Sequence, residues 1–148
     1  ITCSLVSFGG KKAWVVLLLL ALAVGSADLI CFRVLKPLVR RPRPSHVLED
    51  ARVLGGKRGM KGFPSNHAAN ITAAMTILAY FYRRFLYGAI FIALIVSFSR
   101  IYVGVHYPLD VIAGAAIGAL ISYLWLLLWR EADKRHSLKT LYTPANPE

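Results

Sequence analysis

The sequence predicts an all-α integral membrane bundle with at least four transmembrane helices, forming one domain over residues 1–148. Two observations predict it. First, 57% of the 148 residues are hydrophobic, yet Lys and Arg total 18 against 7 for Asp and Glu, a net charge of +11. A disordered basic chain lacks that apolar content, and a soluble domain of this size is usually more polar. Second, the apolar residues fall into runs long enough for a ~30 Å hydrocarbon core, and the basic residues fall between them.

The first run is Ala13–Phe32, with Asp28 its one charge and Lys11, Lys12 and Trp14 at one end. The second, Ala68–Tyr82, contains Asn70 and Thr72 and reaches span length if its helix starts near Ser65, giving a span over about 65–82 closed by Arg83 and Arg84. The third runs over about 85–103, and the fourth over about 108–129 with Asp110 as its charge. Between the first two spans lies a basic, Gly-containing loop, 35–62. After Arg130 the chain turns polar and ends in Pro144 and Pro147, which predicts a flexible tail over 130–148. The chain begins at Ile1 rather than Met, so upstream residues are expected. Cys3 and Cys31 form neither a disulfide framework nor a metal motif. Gly114 and Gly118, echoed by Ala69/Ala73 and Ala89/Ala93, have the small-xxx-small spacing of close helix packing, within the bundle or across a dimer face.

Alternating spans gather Lys11, Lys12, Arg83, Arg84, Arg130, Lys134, Arg135 and Lys139 on one side, with Trp14, Tyr80, Tyr82, Tyr87, Trp125 and Trp129 as an interfacial belt. The 35–62 loop on the other side also holds eight basic residues, so charge alone does not orient the chain. Setting aside Lys36 and Arg43, which have a chemical reason to be there, leaves six against eight. That difference places the Lys11/Arg83/Arg130 side in the cytoplasm and the loop outside it.

The loop side collects the polar residues that bear chemistry. Lys36 and Arg43 flank prolines where the first span ends, Ser65, Asn66 and His67 open the second, Arg100 ends the third, and His106 and Asp110 bracket Pro108 at the start of the fourth. Singly, each has a structural reading. Juxtamembrane Lys and Arg sit at lipid headgroups, Pro64-Ser65-Asn66 makes a turn and N-cap, and His106 with Asp110 makes a capping pair. Together they bring cations, a hydroxyl and two imidazoles to one level of the bilayer, which suits an anion beside a nucleophile.

Their order and spacing, Lys36-x₆-Arg43-Pro44, then Pro64-Ser65-Asn66-His67, then Ser99-Arg100-x₅-His106-x₃-Asp110, resemble the three signature motifs of the type 2 phosphatidic acid phosphatases, relatives of the vanadium haloperoxidases. Arg41-Pro42 would need a lysine where Val34 stands, so the frame is fixed. Asn66 stands where the family usually has Gly, at a position used through its backbone N–H. Family members commonly have six membrane helices, against four counted here.

The resemblance implies a metal-independent lipid phosphatase. Lys36, Arg43 and Arg100 would hold the phosphoryl oxygens, with help from the Ser65 hydroxyl and the N–H groups around Asn66. His106 would be the nucleophile, Asp110 would fix its tautomer, and His67 would serve as general acid and then base. No cofactor or metal is expected, since fixed cations supply the positive charge and Glu49 and Asp50 lie away from the motifs. The implied substrates are phosphate or diphosphate esters of membrane lipids: phosphatidic acid, phosphatidylglycerophosphate, undecaprenyl diphosphate or the 1-phosphate of lipid A. The last three suit a bacterial inner membrane with the site facing the periplasm. Membrane lipids are the expected surroundings, no nucleic-acid partner is expected, and the oligomeric state is left open. A non-enzymatic basic membrane protein that binds anionic lipids would account for the charge and the spans but not for the ordered motifs. A vanadate-dependent haloperoxidase would share the pocket, but that group is generally soluble.

Overall fold

The computed structural model describes residues 2–47 and 59–142, with side chains over 10–47 and 59–135. The element order is α1 (Thr2–Leu29), a π-helical turn (Ile30–Leu35), α2 (Lys36–Val39), α3 (Pro44–Val47), α4 (Asn66–Phe81), a 3₁₀ turn (Arg83–Phe85), α5 (Leu86–Tyr102) and α6 (Pro108–Tyr142). Gly10, at φ 52°, breaks α1 near its start. From there to Val39 the chain is one long helical rod that includes the π turn and α2. Residues 48–58, with Glu49 and Asp50, lie outside the description, as do 143–148.

Among the described residues, three stretches are long and apolar enough to cross a membrane: Gly10–Val39, Arg83–Tyr102 and Pro108–Arg135. The fourth expected span, α4, has 16 residues. At ~1.5 Å per residue it covers about 24 Å, short of the hydrocarbon core. It is the central helix, packed against α1, α5 and α6. Its Ala68, Ala69, Ala73 and Ile77 have no exposed surface. A helix enclosed by others needs no apolar outer face, so α4 carries Asn66, Asn70, Thr72 and Thr76. α5 is the opposite case, with Ile90, Phe91, Leu94, Ile95 and Phe98 all exposed, as a lipid-facing helix requires.

The α4–α6 contact is backbone against backbone. A Cβ on Gly114 would run into the Ser65 carbonyl oxygen, and one on Gly118 into that of Ala69. The small-residue pair therefore serves packing inside the bundle. Buried Ser122 reinforces the contact, its Oγ donating to the Ala73 carbonyl at 3.0 Å and to its own helix at Gly118.

At the end that carries Lys11 and Lys12, Tyr80 packs edge to face on Phe81 and Trp129, and Lys12 Nζ donates to the Phe81 carbonyl. Trp125 departs from the predicted interfacial belt. Its indole N–H donates to Ser26 Oγ at 3.1 Å, roughly 15 Å along the rod from Lys36. There a buried donor needs a protein partner, because the bilayer offers none. α6 also runs on past Arg130 to Tyr142, so that part of the expected flexible tail is helical. An Arg135–Glu131 pair at i, i+4 supports it.

Candidate active site

The opposite end of the bundle is built from helix termini. The rod ends at α2, where Arg40 takes the left-handed conformation (φ 52°) and turns the chain. Residues 41–43 then pair antiparallel with 60–62: Arg43 N–H donates to the Met60 carbonyl and Gly62 N–H to that of Arg41, around a single bridge between Pro42 and Lys61. This ties both ends of the long loop together and fixes Arg43. Ser65 starts α4 as its N-cap, and Ser65 N–H donates to the Asp110 carbonyl at 2.9 Å, joining the first turns of α4 and α6. After α5, a turn through Gly104 (φ 74°) lifts Val105 and His106 into place ahead of α6.

These termini enclose a cavity of about 180 Å³ lined by Lys36, Arg43, Asn66, His67, Arg100, Val105 and His106. Segments far apart in sequence thus converge as expected, and no acidic side chain lines the cavity among the described residues. Lys36 is buried to 9% exposure, its ammonium 5.9 Å from the Phe32 ring. Arg43 Nε donates to the Lys61 carbonyl, and Arg100 Nε to Ser99 Oγ, which steadies both guanidinium groups.

Ser65, one of the expected phosphate ligands, is not among the residues that line the cavity. It has no exposed surface, and its Oγ accepts from Ala68 N–H as a helix cap. Asn66 does line the cavity, but its Nδ2 donates to Asp28 on the first span at 2.7 Å. The side chain that replaces the family's usual Gly thus has a partner of its own.

His106 is 4% exposed and Asp110 fully buried behind it. His106 Nδ1 lies 3.6 Å from Asp110 Oδ2, just beyond hydrogen-bonding distance. Contacts of this kind in active sites are often long without substrate and tighten on binding. With Nδ1 buried on the Asp110 side, Nε2 is the nitrogen left for the cavity. Burial first, then the charges of Arg43 and Lys36, push the His106 imidazole down to about 3, against an opposing hydrogen bond at the Gly62 backbone. The ring is therefore neutral near pH 7, and a neutral ring keeps the lone pair that a nucleophile needs.

Asp110 has a partner that spacing did not reveal. Arg41 Nη1 donates to its Oδ1 at 3.1 Å, and the Tyr107 N–H donates to Oδ2 at 2.9 Å. The Arg41 guanidinium also lies 4.4 Å from the Tyr107 ring centre. In sequence, Arg41 is one of three arginines within four residues, and nothing in that run points to a carboxylate 69 positions on. The only available signal was indirect: a buried acid needs a cation, and Arg41 was left without a role once Lys36 and Arg43 fixed the motif frame.

Comparison with known proteins agrees with this geometry. A family model described as the PAP2 superfamily matches residues 13–134. A lipid A 4′-phosphatase of Bacteroides thetaiotaomicron is 38% identical over 138 residues, covering 87% of this chain and 60% of that protein. An undecaprenyl-diphosphatase of Sulfolobus acidocaldarius is 39% identical over 90 residues, covering 60% of this chain and 44% of that protein. The chain thus spans 60% or less of these relatives' lengths. Among solved structures, LpxE of Aquifex aeolicus superposes with a TM-score of 0.68 at 28% identity, covering 84% of this chain and 73% of that one. A phosphatidylglycerolphosphate phosphatase of Bacillus subtilis superposes at 0.66 with 23% identity, over 88% of this chain and 65% of that one, a likeness of fold alone. The family match covers the bundle and every residue around the cavity, and the chain belongs to the PAP2 superfamily.

Proposed function

We propose that the protein hydrolyses phosphate or diphosphate esters of membrane lipids through a phosphohistidine on His106. The observation that carries this reading is the cavity itself: Lys36, Arg43 and Arg100 face one space together with His67 and a neutral, buried His106. A phosphoryl group in flight spreads negative charge over its equatorial oxygens, and fixed cations in a water-poor site stabilise that charge. His106 Nε2 forms a bond to phosphorus as the phosphorus–oxygen bond to the lipid breaks. His67, protonated, gives its proton to the leaving oxygen. Asp110 steadies the positive charge that develops on the His106 ring. His67, now neutral, takes a proton from water, whose oxygen attacks phosphorus. The phosphorus–nitrogen bond breaks, and phosphate and His106 are released.

The cavity lies at the end of a helical rod long and apolar enough to cross a membrane, which supports a site at the level of lipid headgroups with the substrate's tail left in the bilayer. Relatives named for lipid A and for undecaprenyl diphosphate support a bacterial-type envelope lipid as substrate. We place the chain in the inner membrane with the cavity on the periplasmic or outer side.

Phosphate release from detergent-solubilised lipid phosphates, in chelator, tests the reading. The wild-type chain should turn over, vanadate should inhibit it, and His106→Ala should abolish turnover while the bundle stays folded. An active His106→Ala protein, with contamination excluded, would remove the phosphohistidine. A wild-type chain that bound anionic lipids without releasing phosphate would favour a non-enzymatic role.

A further inference from the structure

A second cleft, of about 370 Å³, opens on the flank of the bundle and meets the catalytic cavity at Asn66 and His67, which line both. α1 and α5 stand on either side of α4 without a packed interface between them. The cleft lies in that gap, with Val24 on one wall, Val96 on the other, and Ala74 and Asn70 on its floor. Its lower part is apolar. Its upper part holds Asp28, a carboxylate exposed within a span. A charge at such a position is costly, and one that persists marks a functional site by default.

The polar groups here are short of donors. The Nδ2 groups of Asn66 and Asn70 both donate to Asp28 Oδ1, at 2.7 and 3.0 Å, which leaves the second carboxylate oxygen as an acceptor. The two amide oxygens are buried with no hydrogen-bond partner among the described residues. The position of His67 indicates what belongs there. A general acid must touch the leaving oxygen, so that oxygen sits where the two cavities join, and the alcohol that carries it extends into the cleft.

We propose that this cleft seats the leaving alcohol of the substrate and selects alcohols with hydroxyl or amide N–H donors close to the ester. Such a group is a sugar or polyol headgroup, which donates to Asp28 while its chain runs down between Val24 and Val96. A polyprenyl phosphate has no such donor and gains nothing from Asp28. This inference rests on the phosphatase reading and names the substrate class of the same site.

The test uses the full chain in detergent and two substrates: a monophosphorylated acyl-glucosamine and a polyprenyl monophosphate. Asp28→Ala should lower kcat/KM for the acyl-glucosamine phosphate about ten- to a hundredfold more than for the polyprenyl phosphate, the range of a hydrogen bond to a charged group. Asp28→Asn, which keeps an acceptor oxygen, should recover part of the loss. Equal losses on both substrates would show that Asp28 only holds Asn66 in place, and no loss on either would empty the cleft of this role; both outcomes overturn the inference. A second measurement needs only the wild-type protein. With nitrophenyl phosphate as reporter, dephosphorylated acyl-glucosamine should inhibit at a concentration at least tenfold below a polyprenol of equal chain length. Equal or reversed inhibition overturns the inference. A wild-type chain that releases phosphate from neither lipid would instead overturn the phosphatase reading.

Discussion

His67 and Arg41 illustrate two ways in which a single residue acts on the chemistry. In the proposed mechanism His67 touches the reacting group, so His67→Ala should lower the rate by about 10²–10⁴, the usual range for a general acid–base. The loss should be much smaller for nitrophenyl phosphate, whose leaving group departs without a proton. Similar losses on both substrates would reduce His67 to a phosphate ligand. Arg41 lies outside the cavity and acts through Asp110. Its removal takes a charge-assisted hydrogen bond from a buried carboxylate, so Arg41→Ala should cut kcat about ten- to a hundredfold with KM nearly unchanged. Arg41→Lys should restore part of the rate, and kcat per folded molecule separates this from a merely structural effect. The residues of the cavity were legible in the sequence because phosphate chemistry imposes residue types at fixed spacings. Arg41 was not, since its partner is set by the fold and not by its neighbours. The capping bond of Ser65 was legible only as one of two roles: a serine before a helix can accept from the helix's first turn, and the buried Oγ does so here.

Among the elements, α4 and α6 form the frame on which the two histidines are mounted. Ser65, Gly114, Gly118 and Ser122 all lie in that contact. Gly118→Val places a side chain against the Ala69 backbone, which cannot retreat without moving α4. Overpacking of this kind costs about 1–3 kcal/mol, and it should appear as a lower thermal midpoint in detergent and a smaller folded yield. Gly25, whose Cβ would meet nothing, provides the control, and Gly25→Ala should leave the midpoint in place. The outer helices were easy to recognise from unbroken hydropathy. α4 was harder because it faces protein on nearly all sides, and enclosure relaxes the demand for apolar residues that hydropathy detects. The helical run beyond Arg130 was missed because its composition is polar, and helices that leave the bilayer no longer need an apolar face.

For the molecule as a whole, the arrangement of charge separates two questions, where the chain sits and which way it faces. Lys11, Lys12, Arg83 and Arg84 mark one end of the bundle, and the cavity lies at the other. Orientation can be read by labelling. Met60 is 68% exposed on the cavity side. On a background without Cys3 and Cys31, Met60→Cys should react with a membrane-impermeant thiol reagent added to cells whose inner membrane is intact and whose outer envelope is permeable. Reaction only after the inner membrane is broken would put the cavity in the cytoplasm.

Lys36, Arg43 and Arg100 share one small space with no carboxylate among its described lining residues, so without an anion the protein holds like charges against one another. Occupancy relieves that repulsion. Phosphate, the product of the proposed reaction, would therefore also be a ligand that tightens the fold, adding about 2.7 kcal/mol when present at a hundred times its dissociation constant. In the proposed reaction the same cations that speed turnover would slow release of its product, and high phosphate on the cavity side would act at once as preservative and brake.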